Sequence, residues 1–191
     1  MTASPSKSGK DEDGLRVNRP CENILIEKCR FGYGHGGVAM GSETSGGIRN
    51  VVVRHCMSDS GNWAPIRFKT QPSRSGMVEN ITYDDITLNN TRKAFEFNMA
   101  WRMVNPRPPA KVLPVVRNIF IRNIWGTVSA VGDMHGLEGS PINGVRFQNC
   151  RLNAKTGFLI EHAVNVDTSG LRVTGVEGPA ILYKPAAQSG S

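Results

Sequence analysis

Apolar and polar positions along this chain alternate in a seven-residue unit that recurs six times. An Asn or Gly is followed by an apolar residue, a variable one, a second apolar residue, two variable ones and a small apolar residue. The unit reads Asn23-Ile24-Leu25-Ile26-Glu27-Lys28-Cys29, then Asn50-Val51-Val52-Val53-Arg54-His55-Cys56. It returns as Asn80-Ile81-Thr82-Tyr83-Asp84-Asp85-Ile86 and Asn118-Ile119-Phe120-Ile121-Arg122-Asn123-Ile124. Weaker copies are Gly144-Val145-Arg146-Phe147-Gln148-Asn149-Cys150 and Gly170-Leu171-Arg172-Val173-Thr174-Gly175-Val176. Successive copies start 27, 30, 38, 26 and 26 residues apart.

Period-2 alternation rich in Ile, Val and Phe is strand chemistry. A second apolar stretch follows each unit, among them Gly37-Val38-Ala39-Met40, Pro65-Ile66-Arg67-Phe68-Lys69 and Ala94-Phe95-Glu96-Phe97. No segment shows a helical period. Strands that recur in register with no helices between them coil, each pairing with its equivalent one turn later. The pattern therefore predicts an all-β parallel β-helix of about six turns. A leucine-rich horseshoe is disfavoured because its Leu-spaced consensus is absent. Cys29, Cys56, Ile86, Ile124 and Cys150 should run up the interior, and the leading asparagines should form a ladder. The predicted layout is a polar, frayed segment over 1–14, one β-helix domain over 15–185 and a flexible tail over 186–191. The longest interval holds Met99-Ala100-Trp101-Arg102-Met103-Val104-Asn105-Pro106-Arg107-Pro108-Pro109, read as an inserted loop that either lines a binding face or is a bare excursion.

Composition changes this picture little. At 191 residues the chain can enclose one continuous core. No apolar run is long enough to span a bilayer, and Met1 to Lys10 lacks the apolar centre of a secretory signal. Three of the four cysteines occupy the seventh position of the unit, where other copies carry Ile or Val, so they read as reduced, packed thiols. No metal-ligand spacing is present, and neither a metal nor another cofactor is expected. The net charge of +7 points to a polyanionic partner.

Two segments stand outside the repeat. In Gly34-His35-Gly36-Gly37 an imidazole sits among residues with little steric cover. In Arg67-Phe68-Lys69, period-2 geometry sends Phe68 inward and both cations outward, a pairing suited to a carboxylate. Val38 and Ile66 follow their leading asparagines at nearly the same distance. These strands should stack, placing His35, Arg67 and Lys69 on one face. Glu43 lies beside His35. Glu96, Asp133 and Glu161 fall on later strands of that face, either as groove residues or as ordinary exposed positions. Trp63 and Trp101 flank it in sequence, as stacking platforms or as core. Asp84 and Asp85 occupy a slot that other copies fill with any polar residue, which reads as a solvated turn. His55, His135 and His162 match no motif.

From Lys7-Ser8-Gly9-Lys10-Asp11-Glu12-Asp13-Gly14 through Arg19-Pro20, Glu22-Asn23-Ile24, Gly34-His35-Gly36-Gly37, Gly41-Ser42-Glu43 and Arg67-Phe68-Lys69, the chain resembles glycoside hydrolase family 28. The resemblance continues through Val78-Glu79-Asn80-Ile81 and Val116-Arg117-Asn118-Ile119, and the bacterial exo-acting polygalacturonases come nearest. It implies a right-handed parallel β-helix and pectin hydrolysis. It implies that His35 orients or tunes the catalytic carboxylates and that Arg67 and Lys69 hold the galacturonate carboxylate. Glu43 would contact sugar hydroxyls or hold a cation. Galacturonan would then be the partner, rather than nucleic acid or a membrane, and family members are usually secreted or periplasmic.

The family's acid-bearing motifs, Asn-Thr-Asp and a following Asp-Asp, have no counterpart here. In the family the Asp-Asp pair lies a few residues before the Lys-Ser-Gly segment, and counted back from Lys7 its expected place falls on Met1 and Thr2. The resemblance thus implies a chain that begins after the catalytic acids, with N-terminal turns missing and an open end prone to self-association. Three readings follow: a hydrolase whose acids come from elsewhere, a basic pectin-binding groove without turnover, or a structural solenoid fragment.

Overall fold

A computed structural model describes residues 4–102 and 107–184. The Met103-Val104-Asn105-Pro106 part of the inserted loop, residues Met1 and Thr2, and the 186–191 tail lie outside the described residues. In order come β1 (Ser4–Ser6), α1 (Asp11–Val17), β2 (Cys21–Glu27), β3 (Arg30–Phe31), β4 (Val38–Gly41), β5 (Ile48–Ser58) and β6 (Ile66–Lys69). They are followed by β7 (Met77–Asn98), β8 (Val115–His135), β9 (Ile142–Gln148), β10 (Cys150–Glu161), β11 (Ala163–Asp167), β12 (Leu171–Thr174) and β13 (Ile181–Lys184).

All named strand pairs are parallel, and they stack into a coil with three faces. The first face aligns Ile24, Val51, Ile81, Ile119, Val145 and Val166. The second runs from β3 through the end of β5 and the middle of β7 and β8 to the start of β10 and β12. The third aligns β1, β4, β6, the ends of β7, β8 and β10, and β13. Ile and Val dominate the interior of the first face, with Tyr83 and Phe147 among them, and aromatic rings that of the third. Phe68 stacks on Phe97 at 4.5 Å between centroids, and Phe95, Phe147 and Phe158 pack edge to face or tilted. Such aligned like side chains give the coil its dense core.

The asparagine ladder is present. Asn50 donates to Asn23 at 3.2 Å, Asn80 to Asn50 at 3.2 Å and Asn118 to Asn80 at 3.3 Å. Each of these residues has a positive φ, and Gly144 takes the same conformation at the next level. Asn and Gly occupy this position because they tolerate the left-handed region at least cost. The sixth position of the unit is left-handed too, at Lys28, His55, Asp85, Asn123 and Asn149. That polar corner is why Asp84 and Asp85 occur there. Asp84 is held by Arg122 and Asn123, each at 2.7 Å, and Asp85 by His55 at 2.7 Å. The four cysteines are unbridged. Burial pushes the Cys150 thiol up to about 11 and raises that of Cys56, so both stay protonated and packed.

Two expectations differ from the structure. The last unit begins at Asn165, not at Gly170: Val166 pairs with Val145 and Leu171 with Cys150, and Asn165 has φ 54°. Gly170-Leu171-Arg172-Val173 carries the same alternation by coincidence, because it leads into β12 on the second face. The segment 1–14, expected to be frayed, contains β1 and most of α1. Asp11, Glu12 and Asp13 in the first turn and Arg16 in the last complement the helix dipole. Asn18 closes α1 in the left-handed region, its N–H bonded to the Gly14 carbonyl. The helix is docked by Asp11, which pairs with fully buried Arg74 and accepts from Ser73 at 2.9 Å.

Candidate functional site

The outer side of the third face carries Arg67, Lys69, Glu96, Asp133 and Glu161, whereas His55, Asp84 and Asp85 lie on the polar corner away from it. Ala39, Arg67, Glu96 and Asp133 form one outward column. Gly41, Lys69, Asn98, His135 and Glu161 form the next. The expected stacking of Val38 on Ile66 is observed, and it brings His35 against Arg67. The Arg67 Nη1 donates to the His35 carbonyl at 2.6 Å while the imidazole side is exposed.

Arg67 points outward but is not open to solvent: only 4% of it is exposed. Its guanidinium pairs with Glu96, itself buried, and lies 4.9 Å from the Trp101 ring centre. Trp101, carried in from the inserted loop, also covers Lys69, whose ammonium is 5.2 Å from the ring centre. Both contacts are cation–π in geometry. Trp63 donates its Nε1–H to Glu96 at 3.0 Å. Neither tryptophan belongs to the core; both help to build the site.

Lys69 differs from Arg67 in one decisive respect. It is half-buried and has no carboxylate partner among the described residues. Burial, with Arg67 and Lys7 nearby, holds its pKa below the usual lysine range, and Glu96 offsets this only in part. A partly desolvated, unpaired ammonium favours an incoming anion. Glu43 completes this region, half-buried and paired with Lys7 at 3.2 Å. Its strand-end loop is anchored where Arg74 donates to the Ser42 carbonyl at 3.0 Å.

Farther along the face, charges pair with one another. Lys93 pairs with Asp133 and lies 3.5 Å from Glu96. His135 bonds Glu161 at 2.8 Å and lies 3.5 Å from Asp133. Asp133 is thus paired with Lys93 and Glu161 hydrogen-bonded to His135, whereas Lys69 has no carboxylate partner among the described residues. Among the described residues no group of three or more His, Cys, Asp and Glu side chains is disposed to hold a metal ion. The repeat gave no signal for Lys7, Glu96 as the partner of Arg67, or the placement of Trp101. Each depends on how loops cross the face, which alternation does not encode.

This architecture has solved counterparts. The chain matches the exopolygalacturonase from Thermotoga maritima with a TM-score of 0.72 and 28% identity, over 87% of this chain and 38% of that one. The fold is the right-handed parallel β-helix. The sequence profile of glycosyl hydrolases family 28 matches residues 4–171, and the chain belongs to that family. It is 32% identical over 127 residues to a polygalacturonase of Ralstonia solanacearum, covering 64% of this chain and 23% of the relative. It is 30% identical over 155 residues to a probable polygalacturonase of Vitis vinifera, covering 77% of this chain and 30% of the relative. The chain therefore spans well under half the length of these relatives.

Proposed function

We propose that this chain forms the galacturonate-binding part of a polygalacturonase-type hydrolase and that, by itself, it binds pectin without cleaving it. The observation that carries this reading is Lys69, unpaired beneath Trp101 and flanked by Arg67 and the Lys7–Glu43 pair. A uronate carboxylate would take Lys69 as its counter-ion. The hydroxyls of the same sugar would meet Glu43, and Arg67 would hold the Gly34–Gly37 turn in place through the His35 carbonyl. Relatives named polygalacturonase support galacturonan as the ligand.

Hydrolysis with inversion needs a protonated carboxyl at the leaving group and a carboxylate at the attacking water, roughly 6.5–9.5 Å apart. The carboxylates near Lys69 are otherwise engaged. Glu96 is buried against Arg67 and Trp63, and Glu43 is paired with Lys7. Neither is a free acid on a water-accessible pair. The test is release of new reducing ends from polygalacturonate by the purified chain, with Lys69→Gln as the control. We expect none from either protein. Turnover by the wild type that is lost in Lys69→Gln would replace this reading with an intact hydrolase.

A further inference from the structure

The outer side of the first face carries charge in a fixed order. Its leading column runs Glu22, Arg49, Glu79, Arg117 over the successive levels of β2, β5, β7 and β8. Its trailing column runs Glu27, Arg54, Asp84, Arg122 over the same levels. Between them lies an uncharged column of Leu25, Val52, Thr82 and Phe120. The sign changes at every step, and the two charged columns change in phase.

Within the chain the charges pair two by two. Arg49 meets Glu22 at 2.5 Å, Arg54 meets Glu27 at 2.8 Å, and Arg117 and Arg122 meet Glu79 and Asp84, each at 2.7 Å. The four arginine side chains nevertheless stay 42–47% exposed. A guanidinium has five N–H donors, so each can serve a second carboxylate. In the middle column Leu25 is 53% exposed, and Phe120 is half-buried with the Arg122 guanidinium 5.3 Å from its ring centre. An apolar strip framed by charged rows has the anatomy of a protein interface. A cleft lined by Leu15, Met77, Val112 and Leu113 borders the leading column and extends the apolar surface.

The order of the charges selects the partner. A four-level column that reads minus, plus, minus, plus becomes its own complement when reversed. A second copy, turned about a twofold axis parallel to the strands and passing between β5 and β7, presents that reversed column. Glu22 then faces the partner's Arg117, and Arg49 the partner's Glu79. Glu27 faces the partner's Arg122, and Arg54 the partner's Asp84. In the centre Leu25 meets the partner's Phe120, and Val52 the partner's Thr82. Facing sheets lie about 10 Å apart, a gap that opposed Arg and Glu side chains bridge. A twofold axis along the coil would instead set Glu22 on the partner's Glu27 and Arg49 on the partner's Arg54, like on like at every level. An axis through a level rather than between levels has the same defect.

We propose that the first face is a homodimer interface, on which a second copy of this chain docks antiparallel across the axis between β5 and β7. The surface is separate from the third face, so the inference does not depend on the reading of Lys69. It is tested by sedimentation velocity over a concentration series, at low and high salt. The proteins are wild type, Phe120→Glu, Glu79→Arg and the double exchange Arg49→Glu/Glu79→Arg, with folding checked by circular dichroism. The exchange keeps opposite signs across the axis while breaking the alternation within the chain. Wild type should show a reversible monomer–dimer equilibrium that weakens with salt. Phe120→Glu and Glu79→Arg should each raise the dissociation constant about tenfold or more, because the symmetry counts every change twice. The double exchange should recover most of the loss caused by Glu79→Arg. A monomeric wild type, open-ended oligomers, or a dimer unmoved by both single changes would overturn the interface. A loss in Glu79→Arg that the exchange fails to recover would overturn the antiparallel docking.

Discussion

Arg67 reaches across one coil to the backbone carbonyl of His35, at 2.6 Å. This contact explains the local glycine: at Gly36 an added Cβ would lie 3.1 Å from the Ala64 carbonyl and 3.5 Å from Arg67 Cδ. Arg67 therefore acts first as a strut under the histidine turn, with Glu96 as its buried counter-charge. Removing one member of a buried ion pair strands the other. Arg67→Ala should cost about 3–5 kcal/mol in urea unfolding. Lys69→Gln, which strands nothing, should cost less than about 0.5 kcal/mol. Equal losses in the two variants would mean that Arg67 carries no such structural role.

Lys69 also sets a pH dependence. Its folded pKa is depressed, chiefly by burial. Its charge, and with it carboxylate binding, is complete below that pKa and lost as pH rises through it. The alkaline loss of galacturonate affinity should begin at lower pH than an ordinary lysine would give. Lys69→Gln should remove that pH dependence along with most of the affinity. For the unliganded chain the sign reverses. A depressed lysine means that the unfolded state binds more protons between the two pKa values, so stability rises with pH across that window.

Acid should weaken the docking of α1. Burial alone would raise the Asp11 pKa, but hydrogen bonds from Arg74 and Ser73 and the charges of Arg74 and Arg107 outweigh it, leaving the carboxyl lowered. The stability contributed by this lowered carboxyl is present above the unfolded aspartate value and lost as pH falls through the folded one. Asp11→Asn should lower stability at neutral pH by about 3–5 kcal/mol, because it removes the carboxylate paired with the buried Arg74 guanidinium. Denaturant midpoints from pH 7 down to pH 2 should fall less steeply in Asp11→Asn than in wild type. Parallel curves would exclude Asp11 as the acid-sensitive contact.

The asparagine ladder separates two contributions at one residue. Asn80 receives from Asn118, donates to Asn50 and has φ 55°. Asn80→Gly removes the side-chain bonds and keeps the backbone at ease, so it should cost about 1–2 kcal/mol. Asn80→Ala adds the left-handed penalty of roughly 1–2 kcal/mol. Thermal melts of the two variants should therefore rank glycine above alanine, the reverse of their order in an ordinary strand.

What could be seen in the sequence depended on what repeats. The leading Asn column is legible because the left-handed corner restricts the residue at every level. The interior column Cys56, Ile86, Ile124 is legible because one core position recurs with one size. The Gly170 copy misled because alternation has no memory of register: Leu171 and Val173 satisfy the pattern from β12 as well as Val166 does from β11. Helix α1 is seven residues long, too short for an apolar period. Its main tie, Asp11 to Arg74, spans 63 positions. At the site, alternation placed Arg67 and Lys69 on the outer side. It could not show that Trp101 and Glu96 would bury one of them and leave the other its charge.

The most direct measurement is calorimetric titration of digalacturonate into wild type and Lys69→Gln at neutral pH and low ionic strength. Saturable binding to wild type, weakened at least about tenfold in Lys69→Gln, is the expected result. Equal affinity in the two proteins would contradict the assignment of Lys69 as the carboxylate ligand.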